Sequence, residues 1–230
     1  MKIKDKVAIV AGGTGSVGEG IVKVLLKEGA RVIVPVRMES RGQKLKNYVQ
    51  DDPNLIVIQA TPSEYRSNLE LIKKVESKYG KIDLAVASLG GWYQKGRLDE
   101  VPLEDWLQII ENNLNSHFIF AKSLLEYFHS INAGTYIMIN GGASEMVVPN
   151  AGPMSIIASA QKMMAQVISG EAQGTNIKVY SVAAFTPVIT RTRPVGQPGW
   201  LKAEDIGEYI VDLSTKEKNG QTIHKIPQTS

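Results

Sequence analysis

The sequence predicts an α/β fold: a doubly wound parallel sheet of about seven strands with helices on both faces. Three observations point there. Short β-branched or apolar runs alternate with longer stretches of helical period. The short runs are apolar nearly throughout, as strands covered on both faces must be. A glycine-rich turn ends the first run and opens the first helical stretch at once.

Taken in order, strands are expected at 6–11, 31–36, 55–59, 82–87, 135–140, 177–183 and 222–226. Helices are expected at 17–27, 39–49, 63–79, 103–128, 155–170 and 203–213. In the fourth of these, Leu103, Trp106, Leu107, Ile110, Leu114, Phe118, Ala121, Leu125 and Phe128 recur mostly at spacings of three and four, giving one continuous helix face. Segments 90–102 and 186–200 resist assignment, and the second carries Pro187, Pro194 and Pro198. Both follow strand ends, where open α/β sheets place their ligand crevice. Pro35 conflicts with an interior second strand because it has no N–H for the ladder, so it belongs at the strand's end or a bulge.

Length and composition bound the answer. The 230 residues suit a single domain over 1–230, with 43% hydrophobic and 21% charged residues excluding a disordered or fibrous chain. A net charge of +3 is too small to argue for nucleic acid or an anionic membrane. There is no cysteine, which excludes disulfides, thiolate metal sites and a cysteine nucleophile and fits a cytoplasmic protein. The three histidines are scattered, so no metal site is expected. The basic start runs into an apolar stretch too short for a signal peptide, and no run has membrane-spanning length.

The turn reads Ala11-Gly12-Gly13-Thr14-Gly15-Ser16-Val17-Gly18. Gly12, Gly15 and Gly18 clear side chains from a helix N-terminus, where N–H groups and the positive dipole end attract a phosphate pair. Thr14, Ser16 and Val17 complete the cradle, and the strand–turn–helix context is that of a Rossmann-type dinucleotide site. About twenty residues on, an NAD(H) site would place a carboxylate for the ribose hydroxyls. Arg37 stands there instead, with Ser40 and Arg41 close behind. A guanidinium suits a 2′-phosphate, so NADP(H) is expected over NAD(H).

With these residues in place the chain resembles the short-chain dehydrogenase/reductase family over essentially its full length. The glycine string is similar to that family's fingerprint, with Ala11 for its threonine. Asn113 falls at the family's active-site asparagine, Lys162 at its lysine, and Thr190 where a threonine contacts the nicotinamide amide. Ala87-Ser88-Leu89-Gly90 stands at the N-N-A-G signature and keeps only the glycine. The resemblance implies hydride transfer to or from a carbonyl carbon, a small-molecule substrate, and homodimers or homotetramers built from helix faces.

The departures concern acid–base chemistry. The family's proton-donating tyrosine, four residues before the lysine, reads Ala158. Its serine should follow the fifth strand directly, where Asn140-Gly141-Gly142 stands, and Ser144 comes two or three residues late. A positioned acid is worth roughly 10²–10⁴ in rate. Three catalytic candidates remain: Asn113, Lys162 and Ser144. Two readings compete: an NADP(H)-dependent reductase of a small carbonyl compound with a non-standard proton donor, and an NADP(H)-binding sensor or scaffold with little turnover. A third, other chemistry on the same scaffold, stays open because fold does not fix reaction.

Overall fold

The structure, a computed structural model, describes residues 2–216 and 220–227. Its centre is a parallel sheet of β1 (Val7–Ala11), β2 (Arg31–Val36), β3 (Leu55–Gln59), β4 (Leu84–Ala87), β5 (Gly134–Gly141), β6 (Ile177–Ala184) and, last in chain order, β9 (Ile223–Lys225). Their spatial order is β3-β2-β1-β4-β5-β6-β9. The seven expected strands are all there. Two further strands were not expected: β7 (Val188–Ile189) and β8 (Leu201–Lys202) pair with each other at the two ends of the 186–200 segment.

Alternation along each strand sends side chains to two separate cores. Ala8, Val10, Val32 and Val34 pack with α1 (Gly18–Lys27), α2 (Glu39–Tyr48) and α7 (Ala203–Thr215). Val7, Ile9 and Ile33 face the other way, toward Leu71, Ile72 and Val75 of α3 (Tyr65–Tyr79) and Phe120, Leu124 and Phe128 of α5 (Ser116–Ile131). Helix α6 (Gly152–Glu171) covers β5 and β6 on this second face. Each fully buried large side chain contributes roughly 1.5–3 kcal/mol by leaving water.

Pro35 lies in β2, one residue from its end, opposite Ile58 of β3. Arg31 donates its N–H to Lys6 on the β1 side, and Val32 donates to Asn54 on the β3 side. By alternation, position 35 turns its nitrogen toward β1, whose pairing with β2 has stopped at Ile9 opposite Ile33. The missing donor falls where no acceptor strand continues.

The expected single helix over 103–128 is corrected. It is α4 (Leu103–Ile109), a π-helical turn (Ile110–Asn115) and then α5. Asn113 Nδ2 donates to the Ile109 carbonyl at 3.0 Å and Ser116 Oγ to that of Asn112 at 2.7 Å. Side chains that bond back to the preceding turn compete with the backbone ladder and widen the helix. The apolar stripe is broken accordingly: Phe120, Leu124 and Phe128 are buried, whereas Leu103, Leu107 and Phe118 are exposed. No helix among the described residues is long and apolar enough to cross a membrane.

Candidate active site

The strand order reverses direction between β1 and β4, so the crevice opens above their C-terminal ends. There the main chain is packed without room for side chains. Gly12 has φ +78°, and a Cβ on it would lie 1.9 Å from the Ser88 carbonyl oxygen. A Cβ on Gly18 would lie 2.1 Å from the Gly12 oxygen. Gly15 donates to Gly12 at 2.8 Å and Glu19 to Gly15 at 2.9 Å, which winds the turn into α1. Helix α1 starts after Val17 with no side-chain cap, so its N-terminal donors face the crevice rather than a neighbouring side chain. Thr14, Gly15 and Val17 are half-buried in this turn and Ser16 is exposed. Ala87 is buried at the end of β4, opposite Ala11 of β1 and Met138 of β5, and Ser88 donates its N–H to Ala11.

Arg37 is exposed immediately beyond β2, and among the described residues its guanidinium has no partner. The site residues named from the sequence at this end are therefore brought together. Thr190 joins them from far along the chain. Its hydroxyl lies 3.2 Å from that of Thr192, which lies 3.0 Å from that of Ser16.

The other end of the crevice differs. Asn113 is buried, and its side chain is fully committed: Oδ1 accepts the Gly91 N–H at 2.9 Å and Nδ2 donates to Ile109. Its own carbonyl accepts Nε2 of buried Gln161 at 2.9 Å. Gln161 escaped the sequence reading because nothing but its place beside Lys162 distinguishes it. Ser144 is buried and donates to the Gly141 carbonyl at 2.8 Å, while Ser159 donates to Ser144's carbonyl. The Lys162 ammonium donates to Glu145 at 2.8 Å, and Lys225 of β9 reaches the second oxygen of the same carboxylate. The two lysines hold the Glu145 carboxyl below its usual range, so it is a carboxylate and not an acid at neutral pH. Ala158 is buried, its carbonyl accepting the Asn140 side-chain amide. Asn113, Ser144 and Lys162 thus surround the start of α6, each engaged within the protein.

Two aromatic groups beside this end resolve differently from expectation. Tyr93 is not an exposed loop residue; its ring is buried among Ile109 and Ile157. Burial, with Asp105 as a second cause, raises its phenol above the usual value. His117 is fully buried, with Nε2 against the Leu89 carbonyl at 3.2 Å and Nδ1 without a partner. Burial lowers its pKa to about 4, so the ring is neutral and Nε2 carries the donated proton.

A seven-stranded doubly wound sheet with a glycine turn at its switch point defines the dinucleotide-fold class. The sequence narrows it further. The family model described as short chain dehydrogenase matches residues 6–195. The chain belongs to this oxidoreductase family. An uncharacterized oxidoreductase of Staphylococcus aureus strain MRSA252 is 25% identical over 220 residues, 94% of each chain. The 3-oxoacyl-[acyl-carrier-protein] reductase FabG of Escherichia coli K12 is 25% identical over 248 residues, 97% of each. Among solved structures, NADP-bound ElxO superposes with a TM-score of 0.87 at 18% identity over 96% of each chain. An alcohol dehydrogenase from Thermococcus sibiricus, complexed with 5-hydroxy-NADP, gives 0.82 at 22% identity over 97% of each.

Proposed function

We propose that residues 1–230 form one NADP(H)-binding unit that transfers hydride between the dinucleotide and a small carbonyl compound, with a proton donor other than tyrosine. The observation that carries this is the glycine turn beneath an uncapped helix start, with an unpartnered arginine at the tip of the next strand. The α1 N-terminal N–H groups, in the turn from Gly12 to Gly18, hold the pyrophosphate. Arg37 takes the 2′-phosphate in a charge-assisted contact. Thr190, drawn in through Thr192, meets the nicotinamide end. When bound, the dinucleotide supplies the hydride. Lys162 is the proton-bearing group at that end, and Glu145 and Lys225 set its position. The relatives lend the same direction: FabG is named a reductase, and ElxO holds NADP.

A second reading, dinucleotide binding with little turnover, draws on one specific observation. Asn113, Ser144 and Lys162 are all engaged by the protein's own groups. The same preparation separates the two. Fluorescence titration should show NADPH binding at least tenfold tighter than NADH, as a single charge-assisted phosphate contact implies. NADPH consumption against a panel of small aldehydes and ketones then supports hydride transfer, and tight binding with no consumption supports the second reading. For assembly, the exposed Leu107 and Phe118 on α4 and α5, with Ile156, Met163 and Val167 on neighbouring α6, suit a second copy of the chain.

A further inference from the structure

Glu19 and Arg191 have no part in the reading above, yet the structure joins them across 172 residues. Arg191 Nε donates to Glu19 Oε1 at 3.0 Å and Nη2 to Oε2 at 2.9 Å, a two-point fork. The Glu19 side chain is 5% exposed and that of Arg191 52%. The guanidinium also lies over the Tyr48 ring of α2, 5.5 Å from its centroid. The next residue, Thr192, brings its hydroxyl to Ser16 in the glycine turn. Beneath this strap lies a cavity of about 280 Å³ bordered by Ser16, Glu19, Tyr48, Thr190 and Pro194.

The electrostatics explain why the fork is needed. A carboxylate in the first turn of α1 gains from the helix dipole. The same charge, buried beside the turn where phosphates dock, repels them unless it is neutralised. Arg191 neutralises it and at the same time fixes the strap, because a planar fork holds one orientation where an ammonium would not.

We propose that the Glu19–Arg191 pair is a clasp that closes the 186–200 strap over the glycine turn, positions Thr190 and Thr192 there, and retains the dinucleotide once it has entered. Arg191 is thus a positioning residue. The proposal rests on the reading of the crevice as an NADP(H) site, and its test separates the two.

The test uses Glu19→Gln, Arg191→Met and, as a control on the same side of α1, Lys23→Met. Two quantities are measured on the full chain: the rate of tryptic cleavage after Arg191 in the dinucleotide-free protein, and the NADPH dissociation rate by stopped-flow fluorescence. Glu19→Gln should raise both about tenfold, a local opening rather than unfolding. Arg191→Met, which removes that cleavage site, should raise dissociation alike, and it carries the test if Glu19→Gln does not fold. Lys23→Met should match the unaltered protein in both. Unaltered dissociation rates in Glu19→Gln and Arg191→Met overturn the clasp and leave the cofactor reading standing. An unaltered protein that binds no NADPH overturns the cofactor reading itself.

Discussion

The two ends of the crevice are built from different material. At the phosphate end the shape is main chain: Gly12 against Ser88, Gly18 against Gly12, and a helix start without a cap. At the opposite end the shape is side chain, with Asn113, Gln161, Ser144, Lys162 and Glu145 joined to one another or to nearby carbonyls. A site made of backbone tolerates change in every residue except its glycines. A site made of side chains changes its chemistry with each substitution. Binding and catalysis can therefore diverge separately on one scaffold, and this chain keeps the first in recognisable form while its second is rearranged.

The contrast breaks most visibly at Gly12. Its positive φ and the 1.9 Å approach to Ser88 mean that Gly12→Ala strains both the turn and the β4 exit. The expected loss is about 3 kcal/mol or more of unfolding free energy. Urea denaturation at constant m-value measures it. A mild loss would mean the turn has slack, and the distinction between the ends would weaken.

His117, between the two ends, comes next. Its folded pKa of about 4 lies below the model value of 6.5. Unfolded chains take up a proton below about pH 6.5 that the folded ring refuses until about pH 4. Stability should therefore fall as pH drops through that window, by about 3 kcal/mol in all. In His117→Gln this component of the pH dependence should vanish, as stability curves collected from pH 7 to pH 4 would show.

Arg37→Met sharpens the phosphate end. Loss of one charge-assisted contact should weaken NADPH by roughly 10–100-fold and leave NADH unchanged. Parallel titrations test it, and equal weakening of both dinucleotides would remove Arg37 from the 2′-phosphate. The smallest stability effect belongs to Lys162→Met. Its partly exposed ion pair is worth less than about 1 kcal/mol, so the melting temperature should barely move. NADPH turnover, by contrast, should drop about tenfold if Lys162 serves the proton. An unchanged rate would discharge it from that role.

Much of this was legible before any coordinates. The seven strands and the glycine turn follow from local apolar runs and glycine spacing, signals confined to a few neighbouring residues. Pro35 announced a strand end, and the end is there. What escaped was set by contacts remote in sequence. The Glu19–Arg191 fork, the bond from Gln161 to Asn113 and the sharing of Glu145 by Lys162 and Lys225 each join separate elements. The widened turn after Ile109 escaped for another reason: helical spacing of apolar residues records which side faces inward, and gives no sign of one extra residue per turn.

That widened turn has a consequence for how the gene can vary. A π-helical turn amounts to a single residue added within an α-helix. Deleting one residue among 110–115 would restore regular winding and rotate everything beyond it by about 100°. Phe120, Leu124 and Phe128 would then swing out of the interior while Phe118 and its neighbours turned inward. Point substitutions are tolerable in this stretch, but its length is not free to drift.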